Sequence, residues 1–450
     1  MKNLIKKNFQ SILILALVVC IAIIALIFSL KPTKIEPLTL SLNQNAEAYI
    51  QSPKTDLTQN TTAELKKKYL HIFYSPWTDF VLDTNALAVA PSLLKQRFGF
   101  GPNLKRYDPD EMKKLYESMD VDHYPNAHID AITIRDTNAR VVPTDLPIFK
   151  SQNNYPFDRW QNSLIFSQTP VVITHYNTTK DFAFIQSNFV NGWVKVEDLA
   201  KITPKDKNFF LNIKNYIIPL KDKIPIYDNQ RNFIRSIRIG EIIPVKEINQ
   251  KTYEIYIAYK KPDGFMGLKT LQVKKEDFTS FPRVFNAINM ADTINTMMGQ
   301  FYGWGGMMQS RDCSAFLRDS FSNFGIFLPR NSAAQATHYQ NLINLSKMPA
   351  KQKEEFIIKN ATPFATLLWL RGHIMLYIGT YEGRAVVAHS AWSVLTKGVF
   401  SNTENLIGGV AITTLTPQDD HQNFFSKSTT LLDRIIGMSD ISTLDLTQIN

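Results

Sequence analysis

The spacing of apolar residues changes period along the chain. Between about 58 and 127 they recur three and four apart, as in "TTAELKKKYLHIF", where Leu65, Tyr69, Ile72 and Phe73 share one helix face. "YDPDEMKKLYESM" adds a helix start, with Asp108 as the cap, Pro109 at the first helical position and Glu111 three residues after the cap. From about 128 the period is two. Short runs such as "TPVVITHYN", "DFAFIQSNF" and "GWVKVEDLA" are divided by Asn, Asp, Pro and Gly, and a second set runs from "NYIIPL" to "TLQV". After "FTSFPRVFNAIN" the helical period returns. Cys313, Phe316, Leu317, Phe321 and Phe324 then predict one buried helix face that ends near Gly325.

The pattern predicts a multidomain α+β chain. A helical N-terminal segment (58–127) precedes two small β-barrels (128–205 and 206–280), a final α+β domain (281–420) and a C-terminal extension (421–450). "KQKEEF" reads as a solvated helix face, and residues 32–57, polar and holding Pro32 and Pro37, read as a tether. Upstream, residues 11–30 carry no charged side chain, whereas Lys2, Lys6 and Lys7 precede them. That run is long enough to span a hydrocarbon core, and the lysines should stay cytoplasmic. Residues 1–31 are therefore expected to be an uncleaved inner-membrane anchor, with a cleaved signal as the alternative, and the rest is exported.

Composition adds two constraints. With 44% apolar and 20% charged residues, general disorder is excluded. The formal charge of +10 suits an anionic partner, although no basic block stands out and the excess lysines need have no partner. An oxidising compartment favours paired cysteines, yet Cys313 is the only cysteine outside the apolar run, where Cys20 lies. A disulfide within the exported part is thus excluded, and so is a zinc ribbon. The residue stands alone at a predicted helix N-terminus, where unsatisfied amides and the helix dipole favour a thiolate and can donate to an oxyanion.

A nucleophilic thiol needs a base. "RGHIMLYIGTYEGRAVVAHSAW" reads as a hairpin turning at 380–383, which makes His373 and His389 cross-strand neighbours. The expected roles are Cys313 as nucleophile, His373 as general base and then acid, and His389 as the group that holds the His373 ring. His71, His123, His128, His175, His338 and His421 have no such setting. The glycine-rich turn before Cys313 lacks the Gly-Lys-Ser/Thr of a phosphate loop.

Residues 300–392 resemble the NlpC/P60 family of papain-like cysteine peptidases through "YGWGG", "DCSA", "FGIFLPRNS" with Gln335, "GHIMLYIG" and "AHS". The two predicted barrels resemble bacterial SH3 domains, "NGWVKVEDLA" matching a closing strand. The resemblance implies an exported hydrolase that cuts the bond between γ-D-glutamate and the diamino acid of peptidoglycan stem peptides, without metal or organic cofactor. Its implied partners are those stem peptides and the membrane, with no nucleic acid. It further implies that Tyr302 lies near the oxyanion, that Asp312, Ser314 and Arg330 help position substrate, and that the first SH3-like domain walls the cleft. Two positions depart from the family pattern. Ala315 replaces a glycine, and Asn331 stands where members that need a free N-terminal amine tend to carry an aspartate. The second departure favours stems still attached to glycan. An inert wall-binding protein, or an amidase or acyltransferase using the same thiol, are the alternatives.

Overall fold

The computed structural model describes residues 33–51, 56–94, 99–397, 402–417, 427–428 and 430–445. The expected membrane span, with Cys20, lies outside the described residues. Among the described residues no helix is long and apolar enough to cross a membrane.

The stretch read as a tether is a strap. Strand β1 (Thr33–Pro37) pairs in parallel with the edge of the last domain's sheet, and a 3₁₀ turn at Ala46–Tyr49 buries Ala46 and Tyr49 in that domain's core. Asn45 caps the turn, and Asn295 Oδ1 accepts the Ala46 N–H at 2.8 Å. The prolines suggested a free linker, but Leu38, Tyr49 and Leu57 supply enough apolar surface to dock it.

Helices α1 (Thr62–Thr78) and α2 (Pro109–Ser118) follow, with two short 3₁₀ turns near Ala90–Leu94 and Val121–His123. Asp108 and Glu111 form the capping box that the sequence signals. The buried face of α1, Leu65, Tyr69, Tyr74 and Trp77, packs outward onto other domains rather than into a helical core.

The first barrel builds a seven-stranded sheet from Ile129 to Lys201, and Trp193 of "NGWVK" is fully buried in it. Helix α3 (Pro204–Leu211) links it to the second barrel. There a five-stranded sheet from Tyr216 to Ser280 packs with a two-stranded hairpin, Ile224–Tyr227 and Phe233–Ile237.

The last domain combines α4 (Ala287–Asn295), α5 (Cys313–Ser322), α6 (Ser332–Thr337), α7 (Ala350–Asn360) and α8 (Leu431–Arg434). Its strands are β2 (Ile343–Asn344), β3 (Thr366–Leu370), β4 (His373–Tyr381), β5 (Arg384–Lys397), β6 (Asn402–Thr414), β7 (Lys427–Ser428) and β8 (Gly437–Asp440). The order is β1-β6-β5-β4-β3-β8-β2, with β7 against β5. Alternation along β4 gives two cores. Ile374, Leu376 and Ile378 pack with Phe316, Leu317 and Phe321 of α5, whereas Met375 and Tyr377 pack with Ile357, Leu431 and Leu432.

Two sequence expectations need correction here. The C-terminal stretch is not a tail, because β8 inserts between β3 and β2. "KQKEEF" is a solvated face only in part, through the exposed Lys351, Gln352 and Glu355. Lys353 is buried and its Nζ donates to the carbonyls of Leu432, Asp433 and Ile435, while Glu354 accepts from Arg384 and the Ala385 N–H. Each polar side chain closes carbonyls or amides that neighbouring elements leave open.

Candidate active site

Helix α5 begins at Cys313 because Asp312 caps it. The carboxylate Oδ1 accepts the Ala315 N–H at 2.9 Å, and Oδ2 accepts the Gly305 N–H at 3.0 Å from the glycine-rich turn. Arg330 grips both oxygens, Nη1 to Oδ1 at 3.0 Å and Nη2 to Oδ2 at 2.7 Å, and also donates to Ser314 Oγ at 2.8 Å. Its Nε reaches Ser163 Oγ of the first barrel at 2.7 Å. Asp312, Ser314 and Arg330 are therefore brought together, but to build the helix end that carries the thiol, since Asp312 and Ser314 are buried among these partners. Gln335 closes the same corner by donating to the carbonyls of Ser314 and Pro329. Asn331 stands apart, exposed, as the cap of α6, with its Oδ1 accepting the Ala334 N–H at 2.8 Å.

The thiol itself is buried, and the main-chain amides of Ile374 and Ser314 lie close enough to its sulfur to favour the thiolate. The sulfur is thus near the start of β4, beside the residue that follows His373. The expectation of a lowered thiol pKa is overturned. Burial and the adjacent Asp312 carboxylate push it up to about 12, and the helix amides with Arg330 do not compensate.

His373 opens β4, half-buried, and its Nε2 lies 2.8 Å from Nδ1 of the fully buried His389 on β5. They are cross-strand neighbours, as expected, though offset from direct opposition. The turn is at Glu382–Gly383, a bulge lies between Tyr377 and Gly379, and Leu376 faces Ala388. The imidazoles meet on the diagonal, on one sheet face. Burial, then the neighbouring His389 and Arg434, hold His373 well below its usual range, and burial alone takes His389 down to about 4. Thiol and both rings are therefore neutral at rest.

Behind Cys313, Arg311 is buried and pairs with Asp319 of α5 at 2.7 Å and with Asp222 of the second barrel at 2.8 Å. Its carbonyl accepts from Ser390 Oγ at 2.7 Å, next to His389. The pairing holds the Asp222 carboxyl down to about 2, against the effect of burial.

Tyr302 is half-buried. Burial, with the negative potential of Asp312, keeps its phenol protonated and so able to donate. Around it stands an aromatic wall that the sequence reading missed. Phe157 of the first barrel lies 5.2 Å from Trp304 and 6.5 Å from both Tyr302 and Trp392, and Tyr155 lies 6.1 Å from Trp392. The run "YPFDRW", which interrupts the two-residue period, was the signal that could have revealed it. Gly305 and Gly306 lock this contact: at φ +60° and +87° they lie against the first barrel, where a Cβ would reach 2.6 Å from Gln161 or overlap Leu164. Of the other histidines, His175 bonds the Met119 carbonyl at 2.9 Å far from this site, and His421 lies outside the described residues. Among the described residues no group of three or more His, Cys, Asp or Glu could hold a metal ion.

The comparisons agree with this architecture. Residues 299–400 match the NlpC/P60 family, 147–195 an SH3 domain of SH3b1 type, 211–247 an SH3 domain of SH3b2 type, and 12–124 the N-terminal NLPC_P60 stabilising domain. An NlpC/P60 endopeptidase from Photobacterium damselae subsp. piscicida superposes with TM-score 0.82 at 22% identity, over 91% of this chain and 99% of that one. An NlpC/P60 family protein from Bacillus cereus ATCC 10987 aligns at 16% identity with TM-score 0.42, over 63% of this chain and 83% of its own. No curated protein matches the chain. In chain order the matches are therefore an N-terminal NLPC_P60 stabilising domain, two SH3 domains and an NlpC/P60 domain, on a fold shared with the Photobacterium endopeptidase.

Proposed function

We propose that the protein is an exported cysteine endopeptidase that cuts the γ-D-glutamyl–diamino acid bond of peptidoglycan stem peptides, held at the inner membrane by residues 1–31. The observation that carries the reading is the sulfur at the head of α5, close to the start of β4, where a half-buried imidazole is held at 2.8 Å by a buried second imidazole.

Because thiol and rings are neutral, proton transfer accompanies attack. His373 takes the Cys313 proton as the S–C bond forms, and the Tyr302 hydroxyl and the α5 amides stabilise the oxyanion. His373 then gives that proton to the departing amine as the C–N bond breaks, leaving a thioester. Water attacks the thioester while His373 accepts its proton, and the sulfur leaves and recovers it. Asp312, Ser314 and Arg330 keep the sulfur at the helix tip. The aromatic wall and the first SH3 domain close one side of the cleft. Asn331 offers no carboxylate to a free ammonium, and its amide oxygen is engaged in the α6 cap, so glycan-linked stems are the preferred substrates.

The test is a zymogram with purified sacculi. The wild-type chain should clear the gel and Cys313→Ala should not. Comparing a free tripeptide with a muropeptide tests the substrate: turnover of the free peptide alone would refute the glycan-linked reading.

A further inference from the structure

We propose that Thr413 is a positioning residue that sets the tautomers of both imidazoles, leaving Nδ1 of His373 as the bare lone pair that accepts the thiol proton. This rests on the reading of Cys313 and His373 as nucleophile and base.

One group beside His389 has no choice of role. The Thr414 carbonyl can only accept, and Thr413 Oγ1 lies 2.8 Å from it and 3.2 Å from His389 Nε2. A hydroxyl carries one proton, which goes to the nearer, obligatory acceptor. Thr413 then faces His389 with a lone pair, so Nε2 of His389 must carry its ring's proton. A neutral imidazole has one N–H, so His389 Nδ1 is bare and must accept from His373 Nε2 at 2.8 Å. The one nitrogen left without a proton is Nδ1 of His373. The reversed chain, with Thr413 donating to His389, would put a proton on that Nδ1 and disable it as a base.

The sheet enforces this order. His373, His389 and Thr413 stand on the neighbouring strands β4, β5 and β6. Thr413 faces Val387 and His389 faces Ala411, so the hydroxyl lies two positions along from His389's partner, on the same face. His389 and Thr413 are buried at 0% and 3% exposure, which keeps solvent from supplying a substitute donor.

The test uses the full-length chain labelled with ¹⁵N at histidine. Long-range proton–nitrogen spectra are assigned by comparison with His373→Gln and His389→Gln. Both rings should be protonated on Nε2 and bare on Nδ1. Thr413→Val should shift His389 toward a mixture of tautomers and lower kcat on the order of tenfold at unchanged KM, the loss of one neutral hydrogen bond. Thr413→Ser should restore both, which a purely structural threonine would not require. His389 protonated on Nδ1 in the wild-type chain, or a Thr413→Val chain with unaltered spectra and kcat, would overturn the proposal. The spectra need no substrate, so failure of the hydrolase reading shows instead as absent turnover with these tautomers intact.

Discussion

A neutral thiol facing neutral imidazoles behaves differently from a preformed thiolate–imidazolium pair. Alkylation of Cys313 by iodoacetamide should be slow at neutral pH and climb steadily into the alkaline range, because the thiol titrates near 12. A rate that is already level at neutral pH would contradict the neutral pair. His389 makes a second prediction. Its folded pKa, about 4, lies below the 6.5 of a free histidine, so between those values the unfolded chain binds the extra proton. Stability should therefore be fully present above about pH 6.5 and fall as pH drops toward 4, visible as a declining Tm. His389→Gln should flatten that decline, and an equal slope in both chains would remove His389 as its source. At this scale the sequence located the cysteine and both histidines, since a lone thiol at a cap and two histidines in one hairpin are local features. Thr413 and Asp222 were illegible. Each acts from another strand or domain, and nothing near either in sequence marks a partner.

Among the elements, α5 depends most on its polar cap. Arg330→Ala would leave Asp312 buried without its guanidinium, a loss of about 3–5 kcal/mol measured by urea unfolding. Arg330→Lys should recover only part of it, because a single ammonium nitrogen lacks the planar fork that pairs both carboxylate oxygens while Nε reaches Ser163. Equal stability of the lysine and arginine chains would show that the fork geometry is unimportant. The barrel strands, α2 and the buried face of α5 were readable because each has a regular period or a cap signal. The strap and β8 were not. All five β1 side chains are exposed, so its pairing leaves no hydrophobic pattern, and the four residues of β8 are too few to show a period. The hairpin turn lies one residue later than the expected 380–383, with Tyr381 facing Arg384, and the bulge after Tyr377 shifts the register again beyond it.

For the molecule as a whole, the barrels are joined to the site by buried polar contacts. The first supplies Ser163 and Gln161 to the helix tip and glycine turn, and the second supplies Asp222 to Arg311. Asp222→Asn should weaken that junction by about 1–3 kcal/mol, and protease should then cut between the second barrel and the last domain sooner than in the wild-type chain. Unchanged cleavage would mean that the ion pair does not hold the junction. The measurement that bears most directly on the account is mass spectrometry of muropeptides released when sacculi are digested with the full-length chain. The prediction is stems ending at D-glutamate, a matching new amine on the diamino acid, and neither product with Cys313→Ala. Cleavage at another bond, or the same products from the alanine variant, would contradict it.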